Sequence, residues 1–257
     1  MPATDSPVAL ITGSSRGIGA AIARTLGESG YRVVINYLQN EHAGNAILDE
    51  LTDAGHSAIT CRADICDSGD RQRLLDKTLA AYGRLDLLVN NAGITSQGRL
   101  DLLDATEDSW DLVFDTNLKG PFFLSQLAAR QMLNQNDRYP RVIININSIS
   151  AYAISHNRAD YCIAKAGLEL MTKIFASRLA EDQILVYEIC PGVIESDMTA
   201  PVKDKYDELI KNGLTPIKRW GTCEDVATAV QILASGKLNF TTGERLNVDG
   251  GYHIRRL

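Results

Sequence analysis

Thr12-Gly13-Ser14-Ser15-Arg16-Gly17-Ile18-Gly19 joins a short apolar run, 8–12, to a segment of helical composition, 20–26. Strand, glycine-rich turn and helix, in that order, form the setting of a phosphate-binding loop. Glycines let the backbone come close to a pyrophosphate, and the first N–H groups of a helix have no intrahelical partner. The spacing is Gly-x-x-x-Gly-x-Gly, which meets the general dinucleotide motif only in part. A plain strand–helix turn is the competing reading. The position within the first twenty residues, between the right elements, favours the phosphate loop. Gly13, Ser15, Arg16, Gly17, Ile18 and Gly19 are therefore candidate cofactor contacts.

Outward from this loop, apolar runs alternate with helical segments. Strands are expected at 8–12, 32–37, 57–63, 85–89, 142–147, 184–190 and 245–248. Helices are expected at 20–26, 43–54, 70–82, from Thr106 onward, 159–179 and 224–233. Alternation implies right-handed crossovers and a parallel sheet covered on both faces. The expected architecture is α/β: one doubly wound, seven-stranded Rossmann domain over 1–257, with a charged excursion around 197–220 acting as a lid over substrate.

A dinucleotide site selective for NAD carries Asp or Glu at the end of the second strand. Asn36, Tyr37, Leu38 and Gln39 offer no carboxylate there, and Arg16 is placed to meet a 2′-phosphate. NADP(H) is the expected preference, with NAD(H) admissible, and Asn36 and Tyr37 are counted among the contacts. Asp64 and Ile65 follow the third strand, where an adenine ring would lie. Asp64 either accepts from the adenine amino group or caps the next helix. Asn90, Ala92 and Gly93 end the fourth strand, and Pro191, Gly192, Val193 and Ser196 leave the sixth toward a nicotinamide.

The chemistry is expected between Ser148 and Lys165. Tyr161 and Lys165 are four apart, which on a helix puts them on one face, about 6 Å along the axis. An ammonium beside a phenol lowers its pKa from about 10 toward the range where it passes protons to an alcohol oxygen. Ser148, at the end of the fifth strand, can hold the same oxygen while charge builds on it. Tyr-x-x-x-Lys alone is commonly a surface pair, so its weight comes from the rest of the chain. Asn117 sits inside a helix just before Gly120-Pro121, where a kink would aim it inward at a water or a carbonyl.

The chain has 257 residues, 45% hydrophobic and 23% charged, enough for a sizeable core. Net charge −6 argues against a nucleic-acid or anionic-membrane surface. No apolar run reaches the length of a membrane span, and the start carries no secretion signal. Five scattered cysteines without metal-ligand spacing suggest free thiols, no metal site and a cytoplasmic setting. Cys162, beside Tyr161, reads chiefly as helix packing.

Thr12-Gly13 through Gly19, Asn90-Asn91-Ala92-Gly93, Asn117, Ser148, Tyr161 with Lys165, and Pro191-Gly192 stand in the order seen in short-chain dehydrogenases/reductases, which the chain resembles over essentially its whole length. The offset from Ser148 to Tyr161 (161 − 148 = 13) is also similar to that family's. The resemblance implies a nicotinamide cofactor, a homotetramer or dimer, and a catalytic tetrad on Asn117, Ser148, Tyr161 and Lys165. Tyr161 would donate the proton, Ser148 would position the carbonyl and Lys165 would bind the nicotinamide ribose. Asn117 would hold a water linking Lys165 to solvent. Within the family, Thr12–Gly19 and the stretch from Pro191 most resemble 3-oxoacyl-(acyl-carrier-protein) reductases. Those carry arginines where Tyr139 and Asp182 stand here, beside an inserted-looking 134–140, and differ at His156-Asn157-Arg158-Ala159-Asp160. The resemblance thus supports ketone reduction, on a small ketone or an acyl thioester, but fits an acyl-carrier substrate poorly, with a sugar or polyol ketone as the alternative. His156, Arg158 and Asp160 set substrate choice or, more plainly, Asn157 and Asp160 cap the helix and Arg158 pairs on the surface.

Overall fold

The computed structural model describes residues 6–136, 138–197 and 199–255; Met198, within the expected lid, lies outside them. Seven strands form one sheet in the order β3-β2-β1-β4-β5-β6-β7, every pairing parallel. They are β1 (Val8–Ile11), β2 (Arg32–Tyr37), β3 (Ala58–Arg62), β4 (Leu87–Asn90), β5 (Arg141–Ile146), β6 (Ile184–Pro191) and β7 (Arg245–Val248). The helices are α1 (Gly17–Glu28), α2 (Glu41–Asp53), α3 (Ser68–Tyr82), α4 (Glu107–Phe114), α5 (Gly120–Leu133), α6 (Ala159–Leu179), α7 (Lys203–Lys211) and α8 (Cys223–Ala234).

Strand alternation divides the core in two. Ala9 and Ile11 point toward the layer of α1, α2 and α8. Val8 and Leu10 point toward the opposite layer, with Leu74 of α3, Leu124 of α5 and Leu179 of α6. All four strand residues are fully buried, which is why these strands read as continuous apolar runs rather than alternating ones.

The strand order reverses at β1, which lies between β2 and β4. Crossovers leave to opposite faces there, and a crevice opens beyond the carboxyl ends of the strands. The glycine loop and the segment after β4 border it. Gly13 and Gly17 adopt φ of +61° and +54°, the left-handed region where a side chain strains the backbone. Gly19 serves a different need: a Cβ there would stand 2.4 Å from the Gly13 carbonyl oxygen and 2.5 Å from Asn91 Nδ2.

The long helix expected from Thr106 is not one helix. It runs as α4, a π-helical turn over Asp115–Lys119, then α5. Within the lid region, α7 packs through buried Ile210, Trp220 Nε1 donates to Asp207 Oδ1 at 2.6 Å, and Ile217 N donates to the Gly250 carbonyl at 3.0 Å.

Gly19→Ala is expected to destabilise the fold by about 1–3 kcal/mol, since the neighbours of its new methyl are a backbone carbonyl and an engaged amide. Urea denaturation reads this as a lower midpoint; an unchanged midpoint would refute the close approach.

Candidate active site

The loop is held by side chains from β4 and β2. Thr12 Oγ1 accepts from the Asn91 and Ala92 N–H groups at 2.9 and 3.0 Å. Asn91 Nδ2 donates to the Thr12 and Gly13 carbonyls at 2.8 and 3.1 Å. Asn36 Oδ1 accepts from Gly13 N at 3.0 Å. Helix α1 then starts at Arg16 with no side-chain cap. Its first N–H groups are thus left for an anion, and Ser15, Gly17 and Ile18 are open enough to meet one. Arg16 is exposed, with only a loose 3.8 Å contact to Asp197. The residues present therefore fit a dinucleotide's pyrophosphate and leave a cation for a 2′-phosphate.

Several expected contacts are committed elsewhere. Asn36 is 2% exposed, and its Nδ2 donates to the Cys61 and Ala63 carbonyls, so it shapes the loop rather than facing a ligand. Tyr37 is buried with its ring against Gly44. Ile65 is a core side chain whose carbonyl is taken by Arg71 at 2.6 Å. Asn90 is buried, donating to Ser125 Oγ and Asn145 Oδ1 beneath the crevice floor. In each case the side chain at the strand end points into the core. Asp64 does not cap α3; Asp67 does, accepting from Asp70 N. Asp64 Oδ1 accepts from Cys66 N at 2.9 Å. Gly192 lies so close to Asp249 that a Cβ would be 2.6 Å from its Cα. Ser196 is tied in a turn with Thr199, while buried Val193 and Pro191 continue the wall of the crevice.

Ser148, Tyr161 and Lys165 do converge. Ser148 follows β5, and its Oγ accepts from Ser150 N at 3.0 Å. Tyr161 and Lys165 share the inward face of α6 at 8% and 4% exposure. Lys165 Nζ lies 5.7 Å from the Tyr161 ring centre and donates to the Ile146 carbonyl at 2.9 Å. Burial depresses Lys165 to about 8, offset in part by Cys190 and Glu188.

The expected acidic phenol is not what the ligand-free site holds. Burial pushes Tyr161 above the ordinary phenol value, with the Ser148 hydroxyl and the Arg158 cation pulling it back in part. The sequence could show the neighbouring ammonium but not the depth of the pocket. The consequence is a phenol that stays protonated at neutral pH, the state a proton donor needs.

Asn117 is fully buried, not solvent-facing. Its Oδ1 accepts from Ile94 N at 3.0 Å and its Nδ2 donates to the Ile94 carbonyl at 2.9 Å. The π turn is what swings it inward, and it pins the segment after β4, where Gly93 has no room for a Cβ beside Asn117 Oδ1.

Asp160 neither caps α6 nor lies on the surface. It is 3% exposed, accepts from Ser96 Oγ, from Ser109 Oγ at 2.6 Å and from Tyr161 N at 2.8 Å. It joins the loop after β4, α4 and the start of α6. The signal for it was only its place beside Tyr161. Thr12 and Asn91, the ties of the loop, were also passed over as ligands of the backbone.

A dinucleotide cradle at the switch point, opening onto a buried Tyr–Lys pair and a serine, defines an NAD(P)-dependent oxidoreductase acting between CH–OH and keto groups. A family model described as enoyl-(acyl carrier protein) reductase matches residues 13–253. The chain is 37% identical over 246 residues to a 3-oxoacyl-(acyl-carrier-protein) reductase from Staphylococcus aureus, covering 96% of this chain and 98% of the relative. It superposes on a 3-oxoacyl-(acyl-carrier protein) reductase from Brucella melitensis in complex with NAD, with TM-score 0.95, 40% identity and 98% and 99% of the two chains covered. A gluconate 5-dehydrogenase from Burkholderia cenocepacia, in complex with NADP and tartrate, matches at TM-score 0.89 and 32% identity over 97% and 96% of the chains. The chain belongs to the short-chain dehydrogenase/reductase family.

Lysine labelled with ¹³C at Cε should report a Lys165 titration centred near pH 8 in the apoprotein, cationic below and neutral above. A midpoint at the ordinary 10.5 would contradict a buried amine held by a single carbonyl.

Proposed function

We propose that the protein is an NADPH-preferring reductase of ketones to secondary alcohols, of the 3-oxoacyl-thioester reductase type. The observation that carries the reading is the buried phenol of Tyr161 between Ser148 and Lys165 at the crevice. A bound nicotinamide supplies the hydride. Tyr161 donates its proton to the carbonyl oxygen, and Ser148 Oγ donates a hydrogen bond to that oxygen as negative charge builds. Lys165, cationic below about 8, holds the ribose and stabilises the phenolate left behind. Asn117 fixes the loop under the nicotinamide, and a water at the π turn would relay the proton to Lys165. Gly13, Ser15, Gly17, Ile18 and Gly19 hold the pyrophosphate, Asp64 the adenine, and Ala92, Gly93 and Pro191–Ser196 the nicotinamide half. The segment around 197–220 covers the substrate.

The NADPH preference rests on the absence of a carboxylate after β2 and on exposed Arg16. A polyol or sugar-acid ketone is the second reading, favoured by the gluconate 5-dehydrogenase likeness. An acidic carrier protein is disfavoured as partner, because Asp182 stands where docking arginines are expected and pairs with Arg178 at 2.9 Å. A homo-oligomer is supported by Ile163, Leu170 and Ile174, an exposed apolar stripe along α6.

With a panel of ketones and 3-oxoacyl thioesters, Tyr161→Phe should lower kcat by about 10²–10⁴-fold while coenzyme affinity holds. Turnover surviving the loss of the hydroxyl would remove the assignment. Arg16→Ala should cut the NADPH-over-NADH ratio of kcat/KM by about tenfold or more. A wild-type enzyme that prefers NADH would overturn the coenzyme reading.

A further inference from the structure

We infer that Arg158 is a recognition site for a carboxylate carried by the substrate a few bonds from its reacting carbonyl. The inference rests on the ketone-reductase reading and narrows its substrate class to anionic keto acids.

Arg158 ends the loop 151–158 and is the residue from which α6 starts. Its guanidinium carbon lies 5.5 Å from the centre of the Tyr161 ring, so the cation borders the place where the carbonyl is reduced. Arg158 is only half-buried, so it is open in part to solvent.

A guanidinium carries five N–H donors and no acceptor. The polar contact Arg158 makes is a long one, Nε to Ser155 Oγ at 3.5 Å. No Asp or Glu of the described residues lies within ion-pair distance of it. The nearest acid in sequence, Asp160, is withdrawn: its carboxylate is enclosed by Ser96, Ser109 and the Tyr161 N–H. Arg158 is therefore denied the partner two residues away that would have neutralised it. Two other exposed arginines are tied, by contrast: Arg219 forks onto Asp225, and Arg245 reaches Glu169.

An unneutralised planar fork beside a reaction centre matches a carboxylate, which accepts two parallel N–H bonds. The guanidinium stands beside the Tyr161 ring, 5.5 Å from its centre, which keeps the reach short. A carboxylate on Arg158 and a carbonyl at the Tyr161 hydroxyl can belong to one small molecule only if few atoms separate them. The phosphate of a long carrier arm would lie too far from the same carbonyl to serve.

The test uses the full-length enzyme with NADPH and four ketones, acetoacetate, levulinate and the methyl ester of each, beside a 3-oxoacyl thioester. Wild type should favour at least one acid over its ester by tenfold or more in kcat/KM, expressed in KM. Arg158→Gln should reduce that preference about 10- to 100-fold, and Arg158→Lys, which keeps charge but loses the fork, should restore part of it. Unchanged coenzyme affinity and melting temperature of both variants exclude misfolding as the cause. Equal turnover of acids and esters by wild type overturns the inference. So does an Arg158→Gln variant that slows both alike with a shifted pH profile, which would assign Arg158 to tuning the Tyr161 phenol. If 3-oxoacyl thioesters are reduced and the acids ignored, the ketone-reductase reading stands and this inference falls. If no ketone of either kind is reduced, both fall.

Discussion

The crevice exists because the carboxyl ends of β1 and β4 are laced together before any ligand arrives. Two side chains do this, Thr12 and Asn91, through four hydrogen bonds to backbone groups of the opposite strand end. Asn36 adds a fifth from β2. Buried backbone groups must find partners, and here the partners are side chains because the two chains diverge beyond the sheet. The loop is thus set in the shape a phosphate needs, and little ordering entropy remains to be lost on binding. Gly19 without a side chain is the corollary: the helix can approach this lacing only where nothing projects.

On the far side of the crevice the governing effect is burial. Tyr161, Lys165, Glu188 and Cys190 are all withdrawn from water, and each is shifted toward its neutral form. Lys165 is served by a carbonyl instead of a carboxylate, which is why its ammonium is poorly held. Such an amine is ready to gain a partner. A polyhydroxylated ligand or a developing phenolate would offer one, and the amine's charge would then be drawn back toward the phenol.

Much of this was readable from residues alone. Strand bounds agreed with expectation to within two residues, because most of these apolar runs are buried on both faces and leave little ambiguity about their course. Ser148, Tyr161 and Lys165 come together, since helical spacing and a strand end fix their direction. What failed did so for physical reasons. Asn36 and Asn90 lie at strand ends, where neighbouring positions face opposite ways and polarity does not say which is inward. The phenol's direction of shift depended on depth, which no motif reports. Asp160 looked like a helix cap because Asp commonly is one; only the folded chain brings Ser96 and Ser109 to it.

The π-helical turn over Asp115–Lys119 also acts as a phase corrector. From Ser109 to Met132 an unbroken α-helix would rotate its inward direction by about 140°, turning one of the two toward solvent. One residue absorbed in a wider turn reduces the mismatch to about 40°. Both are buried here. Shortening this segment by a single residue would therefore act less like a local trim than like a twist applied to everything downstream of it. The pairing of Ser125 with Asn90, and with it the floor under the coenzyme crevice, would be carried round with α5.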